Sequence, residues 1–164
     1  MASGVFNIWK AESCRSTGPQ WDQAAFTFRA MLVNSTVYTF DPDQGVVDDG
    51  TTADLRSAES TGTGYIGGYQ RTDRQDLATP TITVDDTDNQ AVFDTSNITY
   101  TAVNLGAGIE QGLAVIVEVG TSDTTSLPVC YFDSTTLSNS TTPVTTNGGD
   151  LNVTWSTAGV IQSS

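Results

Sequence analysis

From Pro80 onward the chain repeats one pattern, in which short runs of apolar and β-branched residues are each cut off by a turn. The runs are Thr81-Ile82-Thr83-Val84, Ala91-Val92-Phe93, Ile98 to Val103, Leu113 to Val119, Val129-Cys130-Tyr131-Phe132 and Leu151 to Trp155. Asp85-Asp86, Gly106, Gly120, Ser134 and Gly148-Gly149 punctuate them. Short strands at such even spacing predict an all-β fold, an antiparallel β-sandwich or a jelly-roll-like barrel. Thr81 to Val84 and Leu151 to Trp155 alternate, which predicts one buried and one wet face for each. Leu113 to Val117 is apolar on both faces and should be central.

Upstream, Ala25 to Val33 also reads as a strand, bounded by Asn34-Ser35. Before it, Val5, Ile8 and Trp9 have the spacing of one side of a short helix, with Phe6 at the margin and Gly18-Pro19 as the stop. Between about 40 and 70 lies a long loop dominated by Asp, Gly, Thr and Ser. It exceeds the roughly 12–15 residues of an ordinary structureless connection, so short helical turns are expected around Val46 and Leu55. The 164 residues suit one hydrophobic core. The expected organisation is an N-terminal arm or short helix over 1–20 and a single β-sandwich domain over 21–164.

The chain has 27 threonines and 15 serines beside a single lysine, Lys10, and no histidine. Threonine suits an outward strand position, because its branched carbon fits the pleat and its hydroxyl meets water. Without histidine the usual general base and the commonest catalytic zinc ligand are both missing, which points to a non-enzymatic protein with no cofactor. A glycosidase would need two carboxylates about 5–10 Å apart in a cleft, which sequence cannot locate among nineteen scattered acids.

The net charge is −13, and residues 75–164 hold ten acids and no base. Such a surface repels phosphate backbones and anionic lipid, which argues against nucleic acid or membrane as direct partners and suits a basic protein surface. It would equally keep a protein soluble at high local concentration. The N-terminus has neither a basic leader nor a continuous apolar stretch, so no secretory signal is expected. The longest apolar run is far short of the ~20 residues of a membrane span. Cys14 and Cys130 are expected as free thiols, one pair being too few for a disulfide framework.

Asp85-Asp86-Thr87-Asp88-Asn89 and Asp41-Pro42-Asp43 hold enough oxygens to suggest calcium, but neither matches an EF-hand loop, and Asx turns account for both more simply. Ser60 to Tyr69 concentrates four glycines and two tyrosines, yet lacks the lysine of a phosphate-binding loop and the glycine spacing of a dinucleotide fold. Sequons beginning at Asn34, Asn97, Asn139 and Asn152 are expected by chance in so hydroxyl-rich a chain. Trp155 is expected in the core and Trp21 over an end of the sheet. Trp9, on a segment too short to be stable alone, either folds back on its own domain or anchors in a neighbour.

Three stretches taken in order, Ala2 to Lys10, Ser60 to Gly68, and Gly149 to Trp155 with Gly159-Val160-Ile161, resemble a family of small virion structural proteins of tailed bacteriophages and prophages. The similarity runs in order over nearly the whole chain; the family pattern has a more charged strand after the first tryptophan, whereas here Trp21-Asp22 is followed by Gln23-Ala24-Ala25, a departure that falls within residues 14–30. The resemblance implies a β-rich particle component without catalytic residues, most similar to a capsid decoration, or cement, protein. Such a protein would be made in the host cytoplasm, sit on the capsid exterior as a homotrimer, and clamp subunits of the major capsid protein. Val5, Phe6, Ile8 and Trp9 would then form an arm reaching a capsid neighbour, with Tyr65 and Tyr69 as rim contacts. Deleting residues 1–12 should leave a folded domain that no longer binds the particle. A tail or baseplate protein is the alternative within the family. Outside it, a carbohydrate-binding sandwich would enlist Trp9, Trp21, Tyr65 and Tyr69 as a platform.

Overall fold

Leu113 to Val117 lies where its two-sided apolarity places it, inside a sheet covered on both faces. In the computed structural model, residues 3–21, 23–87, 90–138, 142–156 and 159–163 are described. Their strands are β1 (Gly4–Val5), β2 (Thr27–Asn34), β3 (Gln75–Asp76), β4 (Thr81–Asp85), β5 (Gln90–Asp94), β6 (Ile98–Tyr100), β7 (Gln111–Glu118), β8 (Leu127–Phe132), β9 (Leu151–Val153) and β10 (Ile161–Ser163). Two short helices, α1 (Asn7–Glu12) and α2 (Ser134–Ser138), complete the set. The fold is mostly β, and every strand pairing is antiparallel.

The main sheet has the order β1-β8-β7-β2-β3, beside a three-stranded sheet β10-β5-β4 and the pair β6-β9. None of these sheets closes on itself among the described residues, so the expected barrel does not form. Alternation along β2 and β7 divides the interior in two. Phe28, Ala30 and Leu32 of β2 join Leu113, Val115 and Val117 of β7 in one core, which also takes Ile98, Tyr100, Val153 and Ile161 from the smaller sheets. Met31 and Val33 join Ala114 and Ile116 in the other. In β8 a bulge leaves Val129 as an extra residue between Cys130, opposite Val115, and Pro128, opposite Ile116. It turns both Val129 and Cys130 into the first core, while Tyr131 enters the second.

The second core is closed by the long excursion. Tyr38, Val47, Leu55 and Ala58 cover Met31, Ala114 and Ile116, and Phe6 joins them from the N-terminus. Backbone bonds from Val47 N–H to Ser126 C=O at 2.9 Å and from Ser60 N–H to Leu32 C=O at 2.9 Å fasten the excursion to the residue just before β8 and to β2. Of the expected helical turns, one exists near Leu55, where Ala58 N–H donates to Asp54 C=O. Around Val46 the chain makes turns and bends but no helix, since Gln44 stitches the backbone instead, donating from Nε2 to Val46 C=O at 2.8 Å.

Asp133 starts α2. Its Oδ1 accepts the N–H groups of Thr135 at 3.0 Å and Thr136 at 2.7 Å, and the Thr135 hydroxyl at 2.8 Å. Burial alone would raise this carboxyl, but the hydrogen bonds outweigh it and hold the group at about 2. A folded-state value below the unfolded one means stability that is fully present above the unfolded value and lost as pH falls from there through the folded value of about 2. Asp133→Asn keeps a capping oxygen but removes its charge, and is therefore expected to lower stability by about 1 kcal/mol at neutral pH, the difference between charge-assisted and neutral hydrogen bonds at a helix start. In acid-range thermal melts the difference from the parent should shrink below about pH 4. A constant difference down to pH 2 would show that the charge is not what Asp133 contributes.

Both thiols are free, Cys14 on the surface and Cys130 in the core, where burial pushes its thiol well up. Trp21 is buried in the core, where Nε1 donates to Asp94 C=O at 2.9 Å. Trp155 is only half-buried, and its Nε1 donates to Ser96 C=O at 3.0 Å. Among the described residues no helix is long and apolar enough to cross a membrane. Strand β4 departs from the expected one-sided burial. Ile82 is 42% and Val84 72% exposed. They share a sheet face with Phe93 and Ala91, to which they are register partners, but the core ends beneath Phe93 and Ile161 and β4 projects past it.

Candidate functional site

The residues expected to contact a partner divide between two places, and most of them point inward. At the N-terminus, Gly4 and Val5 pair with Tyr131 and Cys130, and Phe6 N–H continues the ladder to Val129 C=O at 3.0 Å. Phe6 is fully buried against the edge of Phe40, with ring centroids 5.0 Å apart. Three residues on, Trp9 enters the opposite core, 3% exposed, edge-on to Phe28 at 5.5 Å and Trp21 at 6.5 Å. The short helix was legible, but its aromatic residues do not form an outward arm: Phe6, at the N-cap of α1, lies in one core and Trp9 of α1 in the other. Val5 and Ile8 are half-buried beside them.

Tyr65 is also withdrawn as a rim contact, being fully buried. Its hydroxyl donates to Glu59 Oε1 at 2.8 Å and accepts Leu32 N–H at 3.1 Å. Burial pushes its phenol well up, and the Glu59 charge adds to this. Tyr69 is half-buried and donates its hydroxyl to Gly120 C=O. With Trp9, Trp21 and Tyr65 inside, the platform that sugar binding would draw on is reduced to Tyr69.

Beneath Tyr65 and Tyr69 lies a cluster that no motif announced. Arg74 is completely buried, and all five of its N–H donors are taken by carboxylates. Nε and Nη2 reach Glu59 at 2.8 and 2.7 Å, Nη1 and Nη2 reach Asp123 at 2.8 Å each, and Nη1 reaches Glu118 at 3.1 Å. Around this centre, Arg29 pairs with Glu118 at 2.9 Å and Arg56 with Glu59 at 2.8 Å. Burial would favour loss of the Arg74 proton, but the hydrogen bonds and charges of Glu59 and Asp123 outweigh it and hold the guanidinium charged. Sequence gave only one hint, a cluster of arginines inside a segment without hydrophobic period. The partners lie 15, 44 and 49 positions away and become neighbours only in the folded chain.

The glycine-rich stretch wraps Glu59 of this cluster and the neighbouring Asp73. Gly68 N–H donates to Glu59 Oε2 at 3.0 Å, and Gly67 N–H to Asp73 Oδ2 at 3.0 Å. A Cβ at Gly67, where φ is +71°, would stand 2.4 Å from the Glu59 carboxyl, so the close approach requires glycine. The backbone donors that suggested an anion cradle are thus occupied by the chain's own carboxylates. A guanidinium with no spare donor holds no substrate and moves no proton, so the arrangement acts as a clasp. It ties residues 56–74 to the end of β7 and to the turn that follows it.

Asp41-Pro42-Asp43 forms an Asx turn, with Asp43 N–H on Asp41 Oδ1 at 2.9 Å, and Asp43 accepts Asn7 Nδ2 at 2.7 Å. In the other acidic turn, Asp88 and Asn89 lie outside the described residues, as does the sequon residue Asn139. Among the described residues no cluster of three or more potential ligands could hold a metal ion. A groove of about 460 Å³ lies between Phe132, Leu137, Asn152 and Trp155. The indole N–H of Trp155 is committed to Ser96, leaving the groove a ring edge and hydroxyls but no charged group. Comparison with protein-family models, curated proteins and solved structures found no match.

Proposed function

We propose that this chain is a non-enzymatic structural protein of a tailed-phage particle, a decoration protein that binds the outside of the capsid. The reading begins from the resemblance of its opening, Gly-rich and closing stretches to such proteins, and one structural observation supports it above others. Every arginine is paired with a carboxylate of the same chain, from Arg15 on Glu12 to the Arg74 clasp. With the arginines so engaged, acids and hydroxyls dominate what the surface offers, which suits a basic face on the major capsid protein. A clamp needs stability and surface complementarity rather than reactive groups, and binding to the folded lattice stabilises the shell by mass action.

In this reading the main sheet and the two smaller sheets form the layers of a sandwich around the core that holds Trp9, Trp21 and Phe28. Homotrimers on the lattice would present acidic residues of the C-terminal half, with Tyr69 at the rim in place of the buried Phe6, Trp9 and Tyr65. Electron cryomicroscopy of the particle that carries this protein tests the proposal. Hundreds of copies on the icosahedral shell are expected. Copies confined to the tail would replace it with the tail or baseplate reading, and absence from the particle would end it. Binding to isolated capsids should weaken as salt is raised through physiological strength.

A further inference from the structure

We propose that β4 pairs with β4 of a second copy of this chain, joining two three-stranded sheets into one across a twofold axis. The inference is independent of where the protein works. Strand β4 is the outer strand of its sheet, and among the described residues no strand lies beyond it. From Leu77 to Val84 its approach and all of β4 but the last residue, Asp85, carry no charge, in a chain of net charge −13. Exposed edges are normally guarded by charges or bulges, whereas here Ile82 and Val84 stand in water along the free edge. Stretches of this sequence outside the described residues are at most three positions long, too short to pair with all of β4.

Self-pairing is favoured over an unrelated strand because β4 is complementary to itself in one register. Along an antiparallel strand, alternate residues direct their N–H and C=O groups to opposite sides, so residues facing each other across a twofold must belong to the same set. That leaves an axis through Ile82, Thr83 or Val84. An axis at Ile82 would set Pro80, which has no N–H, opposite Val84. An axis at Val84 would set Asp86 opposite Ile82. Only with Thr83 on the axis does Ile82 face Val84 twice, Asp85 face Thr81 twice, and Pro80 lie outside the ladder. No acid then opposes an acid, and the contact is isologous and closed. A five-residue ladder falls short of the roughly 800 Å² per partner of a standard stable interface, so the dimer is a weak one.

Sedimentation equilibrium of the full chain from about 10 μM to about 1 mM should show reversible monomer–dimer exchange. Ile82→Lys or Val84→Glu alone should weaken association by at least about tenfold, since each sets a charge against an apolar residue. Together they should restore it, because the register places the new lysine opposite the partner's new glutamate. Both positions are exposed, and thermal melts of the variants confirm that the fold is kept. A chain monomeric throughout the range, a dimer indifferent to the single changes, or a double variant that stays apart overturns the proposal.

Discussion

Arg74→Met is expected to lower the free energy of unfolding by about 3–5 kcal/mol, a large share of the ~5–15 kcal/mol that holds a domain of this kind folded. The charge itself explains little of this, since taking a complete ion cluster out of water costs about as much as its attraction returns. Removing only the cation is different, because Glu59, Glu118 and Asp123 stay buried and face one another without it. Arg74→Lys keeps the charge but offers three donors where five are used, so it should fall between parent and Met variant. Adding Glu59→Gln to Arg74→Met should recover part of the loss, a coupling that a double-mutant cycle reads directly. Urea unfolding followed by tryptophan fluorescence measures all five proteins, the Glu59→Gln single variant that the cycle needs included. A Met variant within about 1 kcal/mol of the parent would show that the clasp does not hold the excursion to the sheet.

Removal of residues 1–12 should abolish cooperative unfolding altogether, the reverse of what an appended arm would do. The segment supplies Phe6 to one core and Trp9 to the other, and truncating a single buried aromatic typically costs about 3–5 kcal/mol. Losing both together with the β1 ladder exceeds what a domain of this size can spare. Trp9→Ala alone should cost about 3–5 kcal/mol and leave a folded but weakened protein. A truncated chain that melts with the parent's midpoint would restore the arm reading.

Much of the sheet could be read from residue order. Strands β2, β4, β5, β7 and β8 lie within two positions of their expected bounds, because runs such as Phe28 to Val33 and Leu113 to Val117 carry their pattern within themselves. Strands β6 and β9 end earlier than expected. Ala102 takes φ +51°, which breaks the run after Ile98–Tyr100, and Trp155 leaves β9 to bond Asn97 and Ser96. The site was far less legible. Phe6, Trp9 and Tyr65 were expected at an interface and lie in the interior, because aromatic residues beside glycine or at a chain end read alike whether they face a partner or their own core.

What residue order determined by itself is local: the β class, the central place of β7, the turn chemistry at Asp41 to Asp43 and the uncharged stretch around β4. Period, branching and charge act within a few positions, so a strand's preferences are present before it meets a neighbour. Which faces are covered was decided only in the tertiary structure. Arg74 is a clasp because β7 and the turn after it bring Glu118 and Asp123 to it, and Trp9 is core because β1 pairs with β8. Ile82 and Val84 are exposed because the core stops short of β4. Burial belongs to pairs of surfaces, and no single segment carries the other half of the pair.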